Sequence, residues 1–167
     1  QQPVETVKME FKFKEDSPFY DPGYCTEYGQ KVRNAGNPEA PETFGHVNFL
    51  QAYEHSINAV FCNIGMTLGA ASITDKAKDF GFYSQPPIEL PSSQVEPSGE
   101  YHFLSDHRLH LFDNPRQMDP GRLAFGQDKL LVTPLQMALV AAAVANGGTI
   151  MEPHLVKAVR SPNGGTV

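Results

Sequence analysis

Apolar side chains recur at intervals of three and four along residues 45–70: Leu50, Tyr53, Ile57, Val60 with Phe61, Ile64 and Leu68. This spacing predicts an amphipathic or buried helix over residues 45–68, closed by Gly69. Ser56 and Asn58 interrupt the stripe on either side of Ile57. Both residue types compete for backbone hydrogen bonds inside a helix, so either the helix breaks at this point or the pair faces a cleft. A second helix is predicted from about Ile73 to Phe80, opened by a Ser72-x-x-Asp75 capping box and stopped by Gly81. The clearest helix start is Thr133, followed by Pro134 at the first helical position and Gln136 completing a T-x-x-Q box. Residues 135–145 are apolar nearly all round and Asn146-Gly147-Gly148 ends them, which predicts a central core helix.

Strand signals are fewer. Residues 7–13 alternate strictly, with Val7, Met9, Phe11 and Phe13 on one face and Lys8, Glu10 and Lys12 on the other. Residues 154–160 read as a strand, residues 161–165 as a hairpin turn, and Thr166-Val167 as the opening of a partner strand. A chain ending two residues into a strand is expected to be a piece of something longer. Prolines and glycines make residues 15–44 loop and turn, and Pro86, Pro87, Pro91 and Pro97 make residues 82–99 an extended excursion. Residues 100–118 have no clear period, and Asp119-Pro120-Gly121 turns the chain into residues 123–132. The expected fold class is mainly α with a few β-strands, an α+β domain in which residues 1–44 are strand and loops, 45–148 a helical core and 149–167 the start of a C-terminal sheet.

The 167 residues suit one domain with a substantial core. A net charge of -6 offers no basic patch for nucleic acid. The longest purely apolar run, residues 137–145, is far short of the roughly 20 needed to span a bilayer. No signal-peptide pattern is visible, and a start at Gln1 suggests a processed piece. Cys25 and Cys62 are compatible with one disulfide, as in an extracytoplasmic protein, or with two free thiols.

Four segments occur in a distinctive order: S-x-N at Ser56–Asn58, K-D-F-G-F at Lys78–Phe82, F-G-Q-D at Phe125–Asp128, and T-P-L-Q-M-A with A-N-G-G and P-H-L-V over residues 133–156. Together they resemble the transpeptidase domain of penicillin-binding proteins of the class B type. The long fourth set carries most of the specificity. The resemblance implies the helical part of the penicillin-binding-protein/β-lactamase-like fold and a serine acyltransferase whose cleft is lined by S-x-x-K, S-x-N and K-T-G. In that family the S-x-x-K serine attacks the penultimate D-alanine of a peptidoglycan stem peptide, its lysine takes the proton, and β-lactams acylate the same serine. Ser56 would then relay a proton toward the leaving amine, while Asn58 would hold the lysine and bond the substrate's backbone amide.

This chain departs from the pattern by containing neither S-x-x-K nor K-T-G, and by carrying Asp128 where the family usually has a second glycine. The expectation is therefore a central piece of a D,D-transpeptidase, inactive alone. Its parent would be membrane-anchored and would act on the extracytoplasmic face of a bacterial membrane. The competing reading is a non-catalytic module that binds stem peptide or a cell-division or elongation partner; a β-lactamase relative is a weaker third. Exposed apolar faces are expected to make the piece self-associate.

Other constellations are weak. Consecutive Glu54-His55-Ser56 cannot align as a triad on a helix. His102, His107, His110 and Asp106 fit no standard zinc spacing, and no cofactor is expected. Asp119 and Asp128 have no visible carboxylate partner. Phe80, Phe82 and Tyr83 read as core or lining aromatics.

Overall fold

Helix α2 (Asn58–Leu68) forms the buried axis, with Ala59, Val60, Cys62, Ile64 and Gly65 all withdrawn from solvent. The computed structural model describes residues 3–6, 12–127 and 129–161. In chain order these form β1 (Pro3–Thr6), β2 (Pro18–Asp21), β3 (Tyr24–Glu27), β4 (Gln30–Arg33), β5 (Gly36–Asn37), β6 (Ala40–Pro41), β7 (Gly45–Asn48), α1 (Phe49–Glu54), α2, α3 (Ala70–Asp79), β8 (Gly99–Phe103), β9 (Leu109–Leu111), α4 (Pro120–Leu123), β10 (Leu130–Leu131), α5 (Pro134–Ala145) and β11 (Thr149–Met151). Helix takes 33% and strand 23%, so the fold is α+β rather than mainly α.

The single helix expected over residues 45–68 is a strand and two helices. Residues 45–48 pair antiparallel with β2, Phe19 opposite Val47 and Tyr20 opposite His46. Asn48 then opens α1 through a reciprocal capping box with Gln51. Residues 15–44 are also more ordered than their turn residues suggest. Strands β3 and β4 form a hairpin around Tyr28 and Gly29, both left-handed (φ 47° and 77°), as a two-residue type I′ connection requires. Cys25, Glu27 and Val32 point inward from it. With four residues each, these strands are too short to set up a visible period. Cys25 and Cys62 are joined by a disulfide, which ties β3 to α2 and resolves the two options left open by the sequence. Closing a loop of 37 residues contributes about 4 kcal/mol in the chain-entropy model.

In the second half, β8 lies between β10 and β9 in a three-stranded antiparallel sheet. β1 pairs with β11, so the strand at this end is residues 149–151; residues 154–159 are irregular rather than the expected strand. Residues 7–11 and 162–167, where an alternating strand and a hairpin were expected, lie outside the described residues, and Lys12-Phe13 form a bend. Helix α3 starts three residues earlier than expected: Gly69 (φ 78°) serves both the end of α2 and its start, so Ser72 caps nothing.

Helix α5 is not the central core helix. Only Gln136 and Ala143 are buried, while Met137 and Val144 are 46% and 60% exposed. An all-round apolar helix needs cover on every side, and among the described residues the cover of α5 comes from β11 and Phe80. The core helix is α2, whose glycine face lies against α4. A Cβ on Gly65 would meet the Pro120 carbonyl and come within 2.6 Å of the Ala124 Cβ.

Under α4 lies a carboxyl pair that the sequence does not suggest. Asp119 caps α4, accepting from Arg122 N (2.9 Å) and from Arg122 Nη1 (2.8 Å). Glu27, 3% exposed, accepts from Gly121 N (2.8 Å) through Oε1, and no donor faces its Oε2. Protonating Glu27 turns that oxygen into a donor toward Asp119. Burial, and then this hydrogen bond, push Glu27 up to about 7 against the opposing Gly121 amide. Asp119 is also raised by burial, but the hydrogen bonds from Glu27 and Arg122, with the Arg122 charge, outweigh this and hold it below the usual carboxylate range.

Two measurements check this packing. Gly65→Val should separate α2 from α4 and cost about 2–3 kcal/mol in urea unfolding. A carboxyl group raised on folding contributes stability that is full below its unfolded value near 4.5 and is lost as pH rises to about 7. Denaturation midpoints should therefore fall between pH 5 and pH 8, by an amount on the order of 2–3 kcal/mol, and Glu27→Gln should flatten that fall.

Candidate functional site

The polar interruption in the helical stripe is a break in the chain direction. Helix α1 ends with the Schellman pattern: Ser56 N donates to Tyr53 O (3.1 Å) and Ile57 N to Ala52 O (3.0 Å). Ser56 occupies the left-handed position of that motif, at φ 51°. Glycine is the usual choice there because it has no Cβ to crowd the carbonyl. Helices α3 and α5 end with the same pair of bonds or its longer member, and place Gly81 (φ 85°) and Gly147 (φ 62°) at that position. Here the chain keeps a hydroxyl where its other helix ends use hydrogen.

Ile57, 1% exposed, anchors the break in the core. Its backbone then turns into α2 as N-cap, with no side-chain cap of its own. Ser56 is exposed and Asn58 half-buried, so both polar side chains of the triplet sit at the surface around a buried isoleucine. Asn58 Nδ2 donates to Arg33 O (3.0 Å) at the end of β4. His55 stacks on Phe44 at 5.0 Å and Glu54 is exposed, so the refused triad does not assemble.

The missing cap of α2 comes from elsewhere. Asn34 Oδ1 accepts from Ala59 N (2.9 Å), and Asn34 Nδ2 donates to Asp21 Oδ2 (2.8 Å) and Glu42 O (2.9 Å). Asp21 also accepts from Gly23 N (2.8 Å) and Phe44 N (3.0 Å). The Asp21-Pro22-Gly23 turn was legible; that its carboxylate reaches this junction was not, since Asn34 lies 25 residues from Ala59.

The remaining motifs meet one another away from this junction. Lys78–Phe82 is the end of α3, where Gly81 N donates to Lys78 O (2.8 Å) and Phe82 N to Ala77 O (3.1 Å). Gln136 of the T-P-L-Q segment donates through Nε2 to Phe80 O (2.6 Å), joining two motifs 56 residues apart. Gln136 therefore does not close the expected capping box. Thr133 Oγ1 accepts from Gln136 N (3.1 Å), but the Thr133 amide donates to Ser98 Oγ (2.9 Å) instead. In F-G-Q-D, Gly126 is left-handed (φ 74°), and Asp128 lies outside the described residues.

The isolated histidines have separate partners. His102 bonds Glu100 (2.6 Å) and stacks on Phe112 at 4.0 Å, and His110 bonds Asp106 (2.8 Å). Among the described residues no group of three or more His, Cys, Asp or Glu could hold a metal ion. Asp119 has a carboxylate partner after all, Glu27, but Glu27 is buried beneath α4 while Asp119, the cap of that helix, is half-buried. A cavity of about 760 Å³ runs along Phe49, Phe61, Ile64, Leu68 and Phe80, an open apolar face on α2 and α3.

The profile of the penicillin binding protein transpeptidase domain matches residues 9–166. Peptidoglycan D,D-transpeptidase PbpA of Mycobacterium tuberculosis is 30% identical over 120 residues, covering 70% of this chain and 21% of that protein. Stage V sporulation protein D of Bacillus subtilis is 29% identical over 142 residues, covering 83% of this chain and 19% of that protein. The chain thus spans about a fifth of the length of these relatives. The imipenem acyl-enzyme structure of penicillin-binding protein A from M. tuberculosis superposes with a TM-score of 0.72 at 26% identity, over 93% of this chain and 33% of that one. The D,D-transpeptidase domain of a peptidoglycan glycosyltransferase from Eggerthella lenta gives 0.70 at 27% identity, over 92% and 36%. The motif order, the break at Ser56-Ile57-Asn58 and these matches agree: the chain belongs to the penicillin-binding protein transpeptidase domain family.

Proposed function

We propose that this chain is the S-x-N-bearing part of a peptidoglycan D,D-transpeptidase that cross-links stem peptides through a serine acyl-enzyme and binds β-lactams. The observation that carries this reading is Ser56: an exposed serine held left-handed in a motif that elsewhere in the chain takes glycine. A backbone position kept at a conformational cost points to a side chain that is needed there. The turn directs the hydroxyl outward, where it can pass a proton to a departing amine. Asn58, two residues on at the start of α2, offers an amide that bonds a substrate backbone and a neighbouring lysine. S-x-x-K and K-T-G are absent from these 167 residues, so acylation needs the rest of the domain and the piece alone is inactive. The Cys25–Cys62 disulfide suits action outside the cytoplasm. Among the described residues no helix is long and apolar enough to cross a membrane, and the anchor is assigned to the parent protein. The cavity face at Phe61 and Leu68, both half-buried, favours self-association of the isolated chain.

Fluorescent penicillin followed by intact mass tests the assignment. The 167-residue chain should give no adduct and the full-length protein one acyl group per molecule; an adduct on Ser56 would make that residue the nucleophile and overturn the assignment. An unlabelled full-length protein would favour the non-catalytic module that binds stem peptide or a division partner. Ser56→Gly should raise stability by about 0.5–1 kcal/mol, because glycine relieves the left-handed turn, while lowering acylation of the full-length protein by at least tenfold. Thermal unfolding and acylation rates, measured on the same variant, read these two opposed effects.

A further inference from the structure

The residues that flank the S-x-N turn on either side are held by a single polar node outside it. Asp21, 1% exposed, and Asn34, 8% exposed, form that node between β2 and the end of β4. The node reaches both flanks of the turn. On one side, Asp21 Oδ2 accepts from Phe44 N, and the Phe44 ring stacks on His55, the residue before Ser56. On the other, Asn34 Oδ1 caps the Ala59 amide, the residue after Asn58. Arg33, next to Asn34 in the chain, offers the carbonyl that accepts from Asn58 Nδ2.

The chemistry leaves the Asn34 amide one orientation. Its nitrogen has two donors and faces two acceptors, the Asp21 carboxylate and the Glu42 carbonyl, while its oxygen faces an N–H. Turning the amide over would set oxygen against oxygen twice and nitrogen against the Ala59 amide. Asp21 therefore fixes Asn34, Asn34 fixes the first turn of α2, and that turn carries Asn58. Because Ile57 supplies no side-chain cap, no local group can replace Asn34 in this role.

We propose that Asp21 and Asn34 are the positioning residues of the S-x-N turn, setting the placement of Ser56 and Asn58 without meeting substrate themselves. This rests on the reading of Ser56 and Asn58 given above. The test uses the full-length protein and three variants: Asn34→Ala, Asp21→Ala and Val32→Ala. The last removes buried volume from the same strand, β4, as a control for stability alone. Acylation by fluorescent penicillin at saturation is measured with thermal midpoint and with amide hydrogen exchange at Ala59.

Asn34→Ala should slow acylation at least tenfold and lower Ala59 protection at least tenfold, whereas Val32→Ala, compared at matched distance below its midpoint, should acylate within twofold of the parent. Asp21→Ala keeps the Asn34 oxygen available to Ala59 but removes the carboxylate that orients the Asn34 amide and accepts from Phe44 N, and should lower both signals in the same direction. Equal loss of acylation in Val32→Ala would reduce the node to a structural role, and unchanged acylation and Ala59 protection in Asp21→Ala would overturn the part assigned to Asp21. Unchanged Ala59 protection in Asn34→Ala would overturn the node's role outright. If the unmodified protein forms no acyl adduct, the functional reading of Ser56 fails on its own, and Ala59 exchange alone then decides whether Asn34 sets the turn.

Discussion

A helix that begins inside a protein must have its first amides satisfied, and α2 cannot do this for itself. Its N-cap is Ile57, whose side chain is an anchor with no oxygen to offer. Asn34 supplies the missing acceptor from the end of a hairpin, and Asp21 holds Asn34 from a third segment. An unsatisfied buried amide costs about 1–3 kcal/mol, so the small strands over residues 18–48 are as necessary to the axis of the domain as the helix is to them. The disulfide from Cys25 to Cys62 and the Glu27–Gly121 bond repeat the same arrangement along the hairpin. Each inward-facing residue of β3 reaches α2 or the helix packed on it.

This arrangement explains how a short break can be rigid. The direction of the chain reverses its character within three residues: a left-handed serine, a buried isoleucine and an asparagine at the start of a new helix. Such a turn is normally relaxed by glycine. Keeping serine puts a hydroxyl on the surface at a place fixed from below by Ile57 and from both sides by the Asp21–Asn34 node. A polar side chain on a loop held by regular elements is a common solution where position matters more than local stability.

The contrast between α2 and α5 shows what composition can and cannot indicate. α5 is the more apolar helix, and composition alone nominates it for the core, yet much of its surface is open in this chain. α2 carries Asn, Cys, Gly and Thr among its apolar residues and is the better buried. Small residues permit close approach, as at Gly65 against α4, and close approach excludes water more completely than bulk. The exposed apolar face of α5 and the half-buried Phe61 and Leu68 mark where further cover would be stabilising.

The sequence by itself determined the motif order, the capping of α5 by Thr133 and Pro134, the stops at Gly69, Gly81 and Gly147, and an interruption at Ser56-Ile57-Asn58. These are local signals, set by φ preferences and by hydrogen bonds within a few residues, so a linear reading reaches them. Tertiary structure alone decided the pairing of β2 with β7, the join between Cys25 and Cys62, the pairing of Glu27 with Asp119, the contact of Gln136 with Phe80 and the cap that Asn34 lends to Ala59. Each of these joins residues far apart in the chain through groups that are common everywhere in it. Two such groups meet only because burial of α2 brings them together, and nothing in their own neighbourhoods records that meeting.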